Sequence, residues 1–372
     1  MQKLQDADSA HHGDSPEHSI PHVVLPLRTV AIAMLVFITV TTLLLVILLP
    51  HRALGLPPQS RSLFRWEEVN HVISFGDSYT YVQGTPYGRQ NYSFIGDLQN
   101  FAFTPEQLLN SRIVQNQTST ANGGPNWIEY LTSCGVEPGL TNPRKCEKQL
   151  WDFAFAGADI SEDLLPLHHN FTVPFVNQIE QFVKYGQPAL KKIVKKDDTV
   201  VVVWIGINDV NDSKDMDVDF QVFYEALMNT LFTALNKVRR LGYEKFLFMN
   251  LPPIDRAPGV DGGTPNKTMI DWYDQALEEG VQSFGQQRNV WTSIFDANRV
   301  LNGVMDRHEE FGFKNITGYC AAYNQPDIDT DSEKYGCLPL DQYFWYNSGH
   351  MTSHVHRVLA AEVQQYLAAR SA

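Results

Sequence analysis

Val201-Val202-Val203-Trp204-Ile205 lies inside a strand-like segment, Thr199 to Ile205, with no alternation of apolar and polar side chains. Alternation marks a strand with one wet face, so a near-continuous apolar run predicts a strand buried on both faces, as in a parallel sheet covered by helices. Working outward, β-rich runs span His71 to Phe75, Asp152 to Ala156, Lys245 to Asn250 and Asn289 to Phe295. Between them, Asn126 to Ser133, Val173 to Tyr185, Phe220 to Leu241 and Lys267 to Gln287 carry apolar residues at spacings of three and four, and so does the final stretch, 352–369. That is the pattern of amphipathic helices. The two kinds of segment together predict an α/β sandwich around a five-stranded parallel sheet. In such open sheets a ligand site lies beyond the carboxyl ends of the strands.

Groups suited to chemistry fall at those ends. The first strand runs into Gly76-Asp77-Ser78-Tyr79. A serine where a buried strand turns into a loop can project its hydroxyl at the top of a sheet, although Gly-Asp-Ser is also ordinary turn chemistry. The second leads to Ala156-Gly157-Ala158, where glycine lets a backbone N–H approach a ligand closely. The third leads to Gly206-Ile207-Asn208-Asp209, whose asparagine amide can donate to a developing oxyanion. Near the C-terminus, Phe344-Trp345-Tyr346-Asn347-Ser348-Gly349-His350 puts a histidine at the start of the last helix. Asp77 and Asp209 are read as loop-orienting groups, and His354 and His356 as surface or packing residues. No Cys-X-X-Cys or His-Glu-X-X-His spacing occurs, so neither a metal nor a cofactor is expected.

These four elements, in this order, resemble the sequence blocks of the GDSL or SGNH hydrolase family, over about His71 to Ala369. Gly123-Gly124-Pro125-Asn126-Trp127 and Phe344-Trp345 are similar to the fungal acetylesterases of carbohydrate esterase family 16 and, more distantly, to plant GDSL lipases. The resemblance implies a flavodoxin-like three-layer α/β/α sandwich and ester hydrolysis through an acyl-enzyme. Ser78 would be the nucleophile and His350 its base, with an oxyanion hole made by the backbone N–H groups of Ser78 and Gly157 and the side chain of Asn208. The family's usual aspartate, three residues before the histidine, is here Asn347. An asparagine oxygen can accept from the imidazole but supplies no charge, which leaves open a slow enzyme, a His–backbone dyad or an inactive relative. Asp341 is a conceivable substitute acid, and Tyr79, where the family commonly has leucine, is read as a pocket wall. Trp127 and Trp345 either stack against a sugar ring or pack in the core. The expected substrate is a short acyl ester, foremost acetyl groups on carbohydrates. The competing readings are a lipase or acyltransferase on the same fold and a non-catalytic glycan-binding relative.

Of the 372 residues, 70–372 are expected to form one esterase domain. Residues 1–28 are polar, bear prolines and lack apolar periodicity, as a disordered tail does. Thr29 to Leu49 carries no charge and is long enough to cross a ~30 Å hydrocarbon layer as a helix, making a membrane the expected partner, with 50–69 as linker. Arg52, Arg61 and Arg65 follow this segment and only Arg28 closely precedes it, which by charge count alone would leave the domain cytoplasmic. Against that, Asn91, Asn116, Asn170, Asn211, Asn266 and Asn315 each begin an Asn-X-Ser/Thr triplet, and all lie beyond it. Long domains translocate largely regardless of charge, so a lumenal or extracellular domain is expected. Secretion after signal cleavage following Gly55 is the alternative. Cys134 could pair locally with Cys146 and Cys320 with Cys337, as fits an oxidising compartment, though other pairings and four reduced thiols stay open. A net charge of -13 argues against nucleic acid.

Overall fold

The central sheet is built from strands the apolar runs announced. The computed structural model describes residues 64–85, 92–95 and 103–371. The predicted tail, the hydrophobic segment Thr29 to Leu49, most of the linker and the sequon at Asn91 lie outside them. Strands β1 (His71–Gly76), β2 (Gln83–Gly84), β3 (Ile113–Gln115), β4 (Gly139–Thr141), β5 (Gln149–Asp152), β6 (Thr199–Trp204), β7 (Lys245–Met249) and β8 (Trp291–Phe295) form two sheets. The larger has the order β5-β1-β6-β7-β8, parallel throughout. β1, β6 and β7 are buried at every position, as runs without alternation require. β8, at the edge, buries only Phe295.

The chain moves from β1 to β5 on one side, then returns to lay β6, β7 and β8 on the other. Loops leaving the carboxyl ends of β1 and β6 therefore diverge and open a crevice at this switch point. The helix Phe220–Arg240 packs against Lys267–Gly285 and Phe175–Gln181, while Ser353–Ala369 packs against Trp127–Thr132. These two groups are the outer layers of a three-layer α/β/α sandwich. Caps fix where the long helices begin: Asp219 accepts from Gln221 and Val222 N–H, and Asn266 from Met269 N–H.

Three departures from the expectations have local causes. The second large-sheet strand is Gln149–Asp152, not Asp152 to Ala156. Phe153 and Phe155 still donate to Ser74 and Gly76 carbonyls of β1, while on the outer side the Asp152 carboxylate takes the Ala154 N–H at 2.6 Å, and Phe155 and Ala156 turn to the Tyr92–Ser93 segment, Ala156 N–H donating to Tyr92 O. Asp209, read as a loop-orienting group, lies in a helix, Ile207–Ser213. The short antiparallel sheet β2-β3-β4 was not expected, because strands of two or three residues show no periodicity. Cys134–Cys146 and Cys320–Cys337 are both disulfides, with Cα separations of 5.5 and 5.6 Å. Among the described residues no helix is long and apolar enough to cross a membrane.

Candidate active site

β1 ends at Gly76, where a Cβ would fall 2.2 Å from the Trp204 carbonyl oxygen of β6. Only glycine lets the strands stay in contact where the Ser78 loop departs. Next, the buried Asp77 accepts from Tyr79 N–H at 3.0 Å and from Ile207 N–H. Asp209 likewise accepts from Ile160 N–H at 3.0 Å. The two carboxyls thus brace the Ser78 loop, the helix Ile207–Ser213 and the segment after β5 against one another. Burial pushes both pKa values up to about 7.

Ser78 Oγ lies 2.8 Å from His350 Nε2, and His350 Nδ1 lies 3.0 Å from Asn347 Oδ1. The same Oδ1 accepts from Gly349 N–H at 3.0 Å and His350 N–H at 2.9 Å. Turning the amide over would point its NH2 at two backbone donors, so the oxygen must face the ring. An oxygen there accepts only, which places the imidazole hydrogen on Nδ1 and leaves Nε2 free to accept from the Ser78 hydroxyl. His350 borders the cleft, yet enough protein surrounds its ring to push the pKa down to about 4 by burial, keeping it neutral near pH 7. Asp341 is no substitute acid: its carbonyl accepts from His354 Nδ1 at 2.7 Å, and it lines a separate pocket beside Ser353 and Arg357.

Tyr79 is more than a pocket wall. Its hydroxyl donates to the Gly349 carbonyl, and its ring lies 5.5 Å from that of His350 and packs edge-on against Trp204. The residue after Ser78 therefore ties the serine loop to the histidine loop.

Ser78, Gly157, Asn208, Asn347 and His350 all border one cleft of about 590 Å³. Gly157 has φ 77°, a left-handed conformation favouring glycine. Asn208 sits in the first turn of its helix and donates from Nδ2 to Ala158 O at 2.9 Å. An amide nitrogen carries two hydrogens, so this bond anchors the group and leaves one donor for a ligand.

Of the two readings of the tryptophans, core packing holds. Trp127 and Trp345 have no exposed surface and cannot stack on a ligand. Their indole N–H groups are used internally, on Thr80 Oγ1 at 3.3 Å and Ile316 O at 3.0 Å. Asn126, beside Trp127, carries that motif instead. Its Oδ1 caps the helix at Ile128 and Glu129, while its Nδ2 donates at 2.8 Å to both Thr80 O and Tyr81 O, holding the chain after Ser78. His356 packs in the core, accepting from Trp127 N–H at 3.2 Å, and His354 is half-buried. Of the sequon asparagines, Asn116, Asn170 and Asn266 are exposed and Asn315 is half-buried. Asn211 donates to Ile207 O and lines the cleft, so a glycan there would stand in it.

Sequence reasoning missed a second polar pair on the cleft wall: His168 Nδ1 lies 3.1 Å from Asp212 Oδ2. The two are 44 residues apart in sequence, with no spacing to link them.

The family model described as "GDSL-like Lipase/Acylhydrolase" matches residues 72–363. An acetylesterase of Thermothelomyces thermophilus is 25% identical over 255 residues, covering 66% of this chain and 75% of that one. An acetylesterase of Hypocrea jecorina is 23% identical over 345 residues, covering 82% and 90%. A solved variant of an acetylxylan esterase from Geobacillus stearothermophilus shares 13% identity over 80% of this chain and 94% of that one, with a TM-score of 0.39. The family match spans the sheet and every group around the cleft, and the chain belongs to the GDSL-like lipase/acylhydrolase family, as a carboxylic ester hydrolase.

Proposed function

We propose that the chain is a membrane-anchored serine esterase that removes short acyl groups, acetyl foremost, from carbohydrate esters, with Ser78 as nucleophile. The observation that carries the chemistry is the 2.8 Å contact between Ser78 Oγ and His350 Nε2, on an imidazole whose tautomer Asn347 sets. Ser78 Oγ attacks the ester carbonyl carbon while Nε2 takes its proton. The tetrahedral oxyanion is met by the N–H groups of Ser78 and Gly157 and by the second hydrogen of Asn208 Nδ2. When the bond to the leaving alkoxide breaks, Nε2 returns the proton to it, leaving an acyl ester on Ser78. Water then gives up a proton to Nε2 and attacks that ester, releasing the acid and restoring the hydroxyl. Asn347 orients the ring throughout without adding charge. Acetyl as the acyl group draws support from the two fungal acetylesterases among the relatives.

Thr29 to Leu49 is the proposed anchor, with the esterase domain lumenal or extracellular. Two disulfides agree with an oxidising compartment. Asn116, Asn170 and Asn266 are the proposed glycan carriers by exposure. The test is hydrolysis of p-nitrophenyl acetate by the full chain and by Ser78→Ala. Activity in the parent and its loss in the variant are expected. Equal rates in the two would remove Ser78 from the mechanism.

A further inference from the structure

The cleft has a buried end and an exposed one. Ser78 is 7% exposed, whereas the side chains of His168 and Asp212 are 41% and 29% exposed. Asp212 stands four residues after Asn208 on one short helix, a spacing that puts both on the same helical face. His168 stands beside Gly157, where a Cβ would come 3.2 Å from its Cδ2. The pair thus adjoins both non-serine members of the proposed oxyanion hole. Tyr92 and His169 add an aromatic surface to the same cleft. Phe171 backs them, its ring 5.4 Å from Tyr92 at 12° and 5.1 Å from His169 at 24°.

Building on the Ser78 reading, we infer that this exposed wall seats the alcohol part of the ester and takes a polyhydroxylated ring, with the His168–Asp212 pair reading its hydroxyls and Tyr92 and His169 meeting its C–H face. A sugar ring offers both surfaces at once: polarised hydroxyl edges and an apolar face suited to aromatic stacking. Asp212 Oδ atoms accept, and because Nδ1 is committed to Asp212, His168 presents Nε2 to the cleft. No lysine or arginine borders the cleft among the described residues, so a carboxylate or phosphate head group finds no full countercharge other than His168. A fatty alcohol would cover His168 Nε2 and Asp212 Oδ1, which their mutual bond leaves unused, without offering either a partner, and a polar ring avoids that cost.

The test compares kcat/KM of the full chain and its His168→Ala, Asp212→Asn and Tyr92→Leu variants on two acetyl esters. One is a mono-O-acetylated methyl xyloside with free neighbouring hydroxyls, the other p-nitrophenyl acetate. Hydrogen bonds to charged groups set the scale, and each of the first two variants should lower the xyloside-to-p-nitrophenyl ratio by on the order of tenfold, through KM. Tyr92→Leu should lower it several-fold. Ratios that stay within twofold, or equal losses on both esters, would overturn the inference, the second by making His168 a mere support for Gly157. A parent that prefers long-chain alkyl acetates to the xyloside would overturn it as well. Failure of the Ser78 reading is seen separately, as a parent inactive on p-nitrophenyl acetate, and the inference would fall with it.

Discussion

Asn347→Asp restores a carboxylate where the imidazole now meets an amide, and the structure fixes what should follow. The present Oδ1 accepts from Gly349 N–H, His350 N–H and His350 Nδ1, all within 3.0 Å. A carboxylate in that nest keeps all three bonds and stays ionised, because hydrogen bonds to the charged form favour it. Its charge next to the ring raises the His350 pKa from about 4 by roughly 1–3 units, the usual effect of an opposite charge at this range. Each unit is about 1.4 kcal/mol of extra stabilisation of the imidazolium, the species formed when Ser78 gives up its proton. Two consequences follow for pH profiles of kcat/KM on p-nitrophenyl acetate, followed at the isosbestic wavelength of the product. The acid limb moves up by about 1–3 pH units, and the plateau near pH 8 rises by about tenfold or more. Aspartate-to-asparagine exchange in protease triads costs ~10⁴ because the amide imposes the wrong tautomer. Here the two backbone donors prevent that inversion, so the wild-type deficit should be the charge effect alone. An acid limb that does not move between Asn and Asp would refute the reasoning, since the residue would not face the imidazole in the working enzyme.

Asn208→Ala should lower kcat by about 10²–10³ with little change in KM, as expected on losing one oxyanion donor; a loss confined to KM would assign it to ground-state binding. Tyr79→Phe leaves the Gly349 carbonyl without its donor and should lower kcat by up to roughly tenfold, while a rate equal to the parent's would return Tyr79 to a passive wall. Stability should fall with alkali. Burial raises Asp77 and Asp209 to about 7, Asp274 to about 8 and Asp159 to about 9. The folded chain then holds protons that the unfolded chain has released above about pH 4, and stability declines as pH rises through the raised values. His350 and His356, held neutral by burial, oppose this only below about pH 6.5, where the unfolded imidazole binds protons. Scanning calorimetry should therefore give a Tm that falls between about pH 6.5 and 9, and a rising Tm there would contradict the assignment.

The large sheet was legible because burial on two faces leaves a run such as Val200 to Trp204 with no polar position. The helix Phe220–Arg240 was legible because it carries apolar residues at spacings of three and four. β5 was displaced because Phe153 to Ala156 is as apolar as a strand, and nothing in the sequence says that Phe155 and Ala156 turn to pair with Tyr92 and Ser93. Ser78, Gly157, Asn208 and His350 could be read as one set because they fall, in order, in stretches that resemble the sequence blocks of the GDSL family. What could not be read was pairing at a distance. Nothing in Gly-Gly-Pro-Asn-Trp says that the asparagine holds the serine loop while the tryptophan is core. Nor does sequence say that His168 meets Asp212, or that the oxygen rather than the nitrogen of Asn347 faces the histidine.

Treating the full chain with a serine-directed fluorophosphonate and locating the adduct by peptide mass spectrometry asks whether an activated serine stands just past the end of β1. One adduct is expected, on Ser78, absent from Ser78→Ala and much slower to form in His350→Ala. A folded parent that takes up no label, or labels elsewhere, would contradict it.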